Sequence, residues 1–300
     1  MLALRALGLG DLLTALPALR GLRRAEPDAR LVLACPAWLE PVARLSRAVD
    51  GVLDTPPLGP VAGWPPTLAV NLHGRGPAST ATLRALRPQA LWAYGEPGAP
   101  PWDDGEHEVT RWCRLLGAYG VACDPADLAL AHPGVDGAGS GLTVVHPGGA
   151  HPSRRWPPHR WAAVAEALAG QGHAVVLTGS AGEADLCRAV AAGAGLGPQH
   201  VLAGRLDLDE LCATVAGARL VLCADTGVGH LATAYAVPSV VLFGPVPPSR
   251  WGPPTDRPQH VALGGVSPSD PTAAEPAPAL LAITVPAVLE AVRARSSVSG

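Results

Sequence analysis

Short apolar runs alternate with amphipathic helical stretches along both halves of this chain, and that alternation limits the fold more than any other feature. A strand that leads into a helix and then into another strand crosses over its own sheet, so the pattern calls for βαβ units around a parallel sheet. In the first half, strand-like runs at Leu2–Leu7, Arg30–Cys35 and Thr67–Leu72 are interspersed with helical patterns at Leu12–Arg24, Trp38–Ala48, Ala78–Leu86 and Glu106–Tyr119. HPGVDGAGSG (His132–Gly141) then lacks any apolar period and reads as a linker. Beyond it the alternation restarts. Strands are expected at Leu142–His146, Ala174–Thr178, His200–Leu202, Leu220–Ala224 and Ser239–Phe243, with helices at His159–Gly170, Gly182–Ala192, Asp207–Ala216 and Val228–Ala236. The stretch Ser267–Ala282 reads as extended, Ile283–Arg295 as a closing helix and the last few residues, SSVSG, as frayed.

The expected organisation is a first α/β domain over residues 1–135, a second over 140–275, and an extended tail with a final helix over 276–300. Open parallel sheets bind ligands beyond the carboxyl ends of their strands, which makes a cleft between two such domains the natural site. Composition narrows the function classes. Of 300 residues, 48% are apolar and 16% charged, so the chain is not intrinsically disordered, and a net charge of −3 offers no basic field for nucleic acid. The 35 glycines and 33 prolines fall between apolar runs, where they act as turns. Every basic residue is Arg, and Phe and Met occur once each, a GC-rich coding bias. Cys35, Cys113, Cys123, Cys187, Cys212 and Cys223 show no metal-ligand spacing and are expected as buried thiols. With no signal-peptide layout and no long uninterrupted apolar run, the expectation is a soluble cytoplasmic protein.

Three constellations carry chemistry. Gly8–Asp11 (GLGD) follows the first strand and opens the first helix, so Asp11 is either a first-turn acid that stabilises the helix or a general base at the strand's carboxyl end. It is not a dinucleotide fingerprint, because position 13 is Leu13, and it is not a P-loop, because the chain has no Lys. Val144–Trp161 (VVHPGGAHPSRRWPPHRW) carries a Pro-Gly-Gly turn and two adjacent arginines, either solvated on a surface loop or placed to neutralise phosphate. Ala224–Pro253 contains a strand that ends at Asp225, with Thr226 and Gly227 starting a helix and His230 one turn in, on the face of Thr226. Backbone N–H groups there suit a diphosphate, whereas the plainer reading makes Asp225 and Thr226 caps and His230 a core residue.

Together the strings D-T-G-x-x-H-L-A-x-A-x-x-V-P-x-V-x-L-F-G-P…W-G-P, H-P-G-x(5)-R-x-W-P-x-x-R-W and G-x-G-D-x-L-x-x-x-P-A-L resemble glycosyltransferase family 9, the ADP-heptose:lipopolysaccharide heptosyltransferase-like proteins. The likeness spans essentially the whole chain, including LHGRGP (Leu72–Pro77), the H-x-x-x-R-W at His107–Trp112 and the closing I-T-V-x-x-V-L. It implies a GT-B architecture of two Rossmann-like domains with parallel sheets facing across a cleft, acceptor on the first and nucleotide-sugar on the second. Asp11 matches the catalytic base. Arg154 aligns with a basic residue, commonly Lys, on the donor diphosphate, and Gly149 and Ala150 stand where some members have a Thr pair. Glu183 aligns with an acid on the donor ribose, Leu206 with an apolar residue near the base, and Asp225, Thr226, Gly227 and His230 match the donor signature.

The resemblance implies inverting, metal-independent transfer of a heptose or related sugar from an ADP-sugar to an acceptor hydroxyl, with no cofactor. The acceptor is a glycan, a glycolipid or a small molecule. Arg20, Arg23, Arg24 and Arg30 form a basic cluster on the first domain that either stabilises a helix end or gives peripheral contact with the inner face of the membrane. The alternatives are a transferase or epimerase using another nucleotide-sugar, and a non-catalytic GT-B binding module.

Overall fold

The computed structural model describes residues 1–57, 59–137, 139–265 and 269–296. The chain divides into two compact units, Met1–Ala131 and His132–Gly300. In chain order the first unit contains β1 (Leu2–Leu4), α1 (Leu9–Thr14), α2 (Leu16–Ala25), β2 (Val32–Cys35), α3 (Glu40–Leu45), β3 (Gly51–Asp54), β4 (Leu68–Asn71), α4 (Ala78–Arg84), β5 (Ala90–Trp92) and α5 (Glu108–Ala118). The second contains β6 (Thr143–His146), α6 (Pro158–Gly170), β7 (Val175–Leu177), α7 (Ala184–Gly193), α8 (Leu208–Ala216), β8 (Leu220–Ala224), α9 (Gly227–Ala234), β9 (Ser239–Phe243), α10 (Pro248–Trp251), β10 (His260–Gly264), α11 (Pro278–Leu281) and α12 (Val285–Ser296).

Each unit is built on one five-stranded sheet, in the order β3-β2-β1-β4-β5 and β10-β9-β8-β6-β7. Every strand pairing is parallel, as the α/β expectation requires. The two sheets are wound differently. The first follows the dinucleotide-fold order, the second the flavodoxin-like order. In each, the chain leaves two adjacent strands in opposite directions: β1 and β4 in the first sheet, β6 and β8 in the second. A ligand crevice belongs beyond the carboxyl ends of those pairs.

Three strands went unrecognised in the sequence, and all three lie on sheet edges: β3, β5 and β10. Edge strands bury one side only, so β3 and β5 are largely half-exposed and their apolar runs are short. The strand expected at His200–Leu202 reduces to a single bridge, Leu177 to Val201. The helix expected over Leu12–Arg24 is two helices, because Pro17 in the first turn of α2 has no N–H to continue α1. The tail expected as extended over Ser267–Ala282 contains α11, Ser267 and Pro268 lie outside the described residues, and so do the terminal Ser297–Gly300.

That tail has a specific task. Ser153, fully buried in the loop after β6, donates its N–H to the Ala273 carbonyl and its hydroxyl to the Pro271 carbonyl, and accepts from the Ala277 N–H. Trp156 Nε1 donates to the Ile283 carbonyl at 3.1 Å, and the ring packs edge-on against Trp161 with centroids 5.1 Å apart. Ile283, Val288 and Val292 complete the second unit's core alongside β6, β8 and β9 residues. Five of the six cysteines are buried and Cys123 is partly so. Burial pushes the Cys35 and Cys187 thiols up to about 12.

Three arginines of the basic cluster are engaged within their own unit. Arg20 pairs with Asp127 and donates to the Ser46 carbonyl, Arg23 pairs with Asp50 and donates to the Ala48 carbonyl, and Arg24 pairs with Asp127. Arg23 and Arg24 lie in the last turn of α2, the position where cations stabilise a helix.

Trp156 joins the loop, α6 and the tail at one fully buried point, so Trp156→Ala should cost about 3–5 kcal/mol of stability. Denaturant unfolding checks this, and a loss under 1 kcal/mol would show that the tail does not hold the loop.

Candidate functional site

In the second unit, the loop after β6 and the start of α9 meet at the strand pair β6–β8, which pair directly from Thr143–Leu220 to His146–Cys223. Arg154 ends a single 3-10 turn, Pro152–Arg154, whose neighbour Ser153 is fixed by the tail. Its Nη1 donates to Asp225 Oδ2 at 2.9 Å. The adjacent Arg155 turns the other way and donates Nε to the Gly149 carbonyl. Geometry thus singles out Arg154 of the two arginines as the cation facing Asp225.

Asp225 stands one residue past β8 and is 5% exposed. Burial pushes its carboxyl up to about 6, against the pull of the Arg154 guanidinium. Thr226 then takes the N-cap position of α9 in extended conformation, but its hydroxyl makes no capping bond, and Oγ1 is buried without a hydrogen-bond partner among the described residues. The amino end of α9 therefore presents its first N–H groups with no capping bond from the N-cap side chain. Gly229 lets the helix sit against the sheet: a Cβ there would be 3.2 Å from Val241 and 3.3 Å from the Cys223 Sγ. Asp225, Thr226, His230, Phe243, Trp251 and Pro253 line a small recess of about 10 Å³, room for a single water, beside which the Trp251 ring packs edge-on against His230.

Glu183 approaches the same loop from the 3-10 turn after β7. Its Oε2 accepts from the Ser180 N–H and hydroxyl, both at 2.8 Å. Burial raises this carboxyl, but the Ser180 donors, the His146 ring and the Gly149 N–H together bring it below the usual carboxylate range. A Cβ at Gly148 would fall 2.0 Å from Glu183 Oε1, so glycine is what allows this approach. The structure thus brings together Arg154, Asp225, Thr226, Gly227 and His230, with Glu183 against the Gly148–Gly149 turn. Ala150 is exposed and Leu206 half-buried ahead of α8, and none of the contacts described above involves either.

In the first unit, Asp11 lies in the first turn of α1. Both readings of it have a structural basis: Oδ2 accepts from the Gly8 N–H at 3.1 Å as a helix-start acid does, while the side chain remains 28% exposed at the carboxyl end of β1. Arg5 Nη2 holds Oδ1 at 3.2 Å. Arg5 itself is fully buried and also donates to the Leu72 carbonyl at the end of β4 and to Glu108 of α5. Beside them His73 has its Nδ1 buried without a partner among the described residues, and burial with the Arg5 charge lowers its pKa, Asp11 opposing.

Arg5, Glu108, Ser153 and Trp251 were missed as site residues. Arg5 did leave a signal, since a charged residue inside the apolar run LALRAL demands a buried partner. Glu108 and Ser153 left none, because their partners lie far along the chain. Among the described residues, no group of three or more His, Cys, Asp or Glu side chains is placed to hold a metal ion, and no helix is long and apolar enough to cross a membrane.

A sequence model of glycosyltransferase family 9 (heptosyltransferase) matches residues 77–271. Lipopolysaccharide heptosyltransferase 1 of Pseudomonas aeruginosa is 37% identical over 161 residues, 49% of this chain and 42% of that enzyme's length, so the match spans less than half of the curated relative. Two solved structures share the fold from end to end. A glycosyltransferase family 9 protein from Veillonella parvula superposes with a TM-score of 0.79 at 19% identity, over 98% of this chain and 96% of that one. The Escherichia coli ADP-heptose lipopolysaccharide heptosyltransferase II superposes with a TM-score of 0.73 at 20% identity, over 99% and 98%. These likenesses bear out the GT-B class of fold, and the sequence match, which covers well over half of the residues, makes the chain a member of glycosyltransferase family 9.

Proposed function

We propose that the protein is an inverting glycosyltransferase that moves a heptose or related sugar from an ADP-sugar to an acceptor hydroxyl, without a metal ion. The observation that carries the reading is the Arg154–Asp225 pair beside the uncapped amino end of α9, at the winding reversal of the second sheet. A nucleoside diphosphate leaving group gathers negative charge as the sugar–oxygen bond breaks. Arg154 offers it a bidentate cation, and the first N–H groups of α9 offer dipoles that need no reorganisation. Glu183 is the acid for the donor ribose. The family name and the Escherichia coli neighbour, an ADP-heptose enzyme, support ADP-heptose as the donor class.

An acceptor hydroxyl is a weak nucleophile, so it needs a base as its oxygen bonds to the anomeric carbon. Asp11 supplies that base, with one oxygen held by the Gly8 N–H and the other by Arg5. Attack opposite the departing diphosphate in one displacement inverts the anomeric centre. The acceptor is a glycan, a glycolipid or a small molecule, and the enzyme works in the cytoplasm with at most peripheral membrane contact. The intrachain pairing of Arg20, Arg23 and Arg24 keeps that contact weak.

Two substitutions separate the halves of this mechanism. Asp11→Asn should lower the transfer rate by about 10²–10⁴-fold with ADP affinity unchanged, whereas Arg154→Ala should weaken ADP binding by about 1.5–3 kcal/mol. Rates with ADP-heptose and calorimetry with ADP read the two effects. Full activity in Asp11→Asn, or unchanged ADP binding in Arg154→Ala, contradicts the assignment.

The raised carboxyl of Asp225 gives a pH signature. The folded chain holds that proton up to about pH 6 while the unfolded chain releases it near 4, so this group's contribution to stability is lost as pH rises through that window. Asp225→Asn removes the titration. The variant's stability minus the wild type's should therefore grow between pH 4 and 6, by on the order of 2–3 kcal/mol, and level off above. Parallel stability curves for the two proteins would show that Asp225 does not titrate there.

A further inference from the structure

The nitrogen that holds Asp11 holds a second carboxylate as well. Arg5 Nη2 lies 3.2 Å from Asp11 Oδ1 and 2.9 Å from Glu108 Oε1, which puts the two acid oxygens no more than about 6 Å apart. The rest of the guanidinium is fixed: Nε donates to the Asp11 carbonyl at 2.9 Å, Nη1 to the Leu72 carbonyl at 2.5 Å, and the group lies over the Trp112 ring at 4.8 Å. Glu108 is 5% exposed and accepts also from Trp112 Nε1 at 3.0 Å and from Arg111. Of the two acids, Asp11 is the one that reaches solvent.

We infer that Glu108, acting through Arg5, is the positioning residue for Asp11, fixing its orientation and setting how readily it accepts a proton. The inference rests on the reading of Asp11 as the base. A buried guanidinium paired with one carboxylate holds that group as an anion and makes it a poor proton acceptor. A second, buried carboxylate on the same nitrogen offsets that charge. Glu108 is well suited to this, because Trp112 donates to the same Oε1 that Arg5 holds and Arg111 donates to Oε2, which fixes both oxygens of the carboxylate. Among the described residues, the charged and titratable groups facing Asp11 within its unit are Arg5 at the end of β1, His73 after β4 and, through Arg5, Glu108 of α5 with its partner Arg111. This also accounts for the H-x-x-x-R-W string: Glu108 follows its His107, and Arg111 and Trp112 are its two fixed donors.

The test reads Asp11 directly and needs no acceptor. The ¹³Cγ resonance of Asp11, assigned by its loss in Asp11→Asn, is titrated by NMR in the wild type, Glu108→Gln and Arg5→Gln. Removing the Glu108 charge leaves the full cation on Asp11, so the midpoint should fall by about 0.5–2 pH units; removing Arg5 leaves two neighbouring acids, so it should rise by a similar amount. The Arg5→Gln shift reports the direct pair with Asp11 and serves as the control, whereas a merely structural role for Glu108 predicts no fall in Glu108→Gln. If Glu108→Gln fails to fold, Glu108→Asp, which withdraws the carboxylate from Arg5, is titrated in its place and should lower the midpoint in the same direction. A midpoint within 0.2 units of wild type in a folded Glu108 variant overturns the inference. Loss of transfer in Asp11→Asn with unmoved midpoints would leave the base assignment standing and this inference wrong, whereas full transfer in Asp11→Asn would remove the base assignment itself.

Discussion

A parallel sheet wound in both directions from its middle has one pair of strands whose carboxyl ends are not covered by a crossover, and polar groups placed there face open space next to a buried core. Each unit puts a buried or partly buried ion pair at that point. In the first, Arg5 ties the end of β1 to the Leu72 carbonyl just past β4; in the second, Arg154 from the loop after β6 reaches Asp225 just past β8. The different strand orders of the two sheets make this a shared consequence of winding and not of a shared topology.

Charges in such places carry a desolvation cost, which limits how they are arranged. Arg5 is fully buried, and each of its nitrogens has a carboxylate or carbonyl partner. Removing one partner of a buried ion pair typically costs about 3–5 kcal/mol, so a network of this kind is rigid as well as expensive to disturb. The second unit is left less complete. Asp225 has one cation for a nearly buried carboxylate, and Arg154 Nε and the Oγ1 of Thr226, which lines the recess, are buried without a hydrogen-bond partner among the described residues. A site meant to receive a polyanion should look like this, with unsatisfied donors on rigid supports. The tail supplies part of that support, since the Pro271 carbonyl, 118 positions away in sequence, holds Ser153, the residue next to Arg154.

Much of this was legible in the sequence, for identifiable reasons. β8 and β9 fall on the expected residues because central strands of a parallel sheet are buried on both faces and read as unbroken apolar runs. The Asp225–Thr226–Gly227 junction was visible because a buried apolar run that ends in an acid and passes at once into a helix marks the carboxyl end of a strand, although the same residues could also have been helix caps. Edge strands β3, β5 and β10 were not, since half-exposed segments of three to five residues lack a distinct pattern. Neither was Glu108, which shows its role only when folding brings it to Arg5, 103 residues earlier. A single sequence marks local junctions well and long-range partners poorly.

The central claim is that the second unit is built to receive a nucleoside diphosphate at Arg154 and the amino end of α9. Calorimetric titration of the full chain with ADP, UDP and GDP tests this most directly, because it requires neither the acceptor nor turnover. The account predicts saturable binding with a clear preference for the purine diphosphates, ADP foremost. Equal affinity for all three, or binding of none, would contradict it.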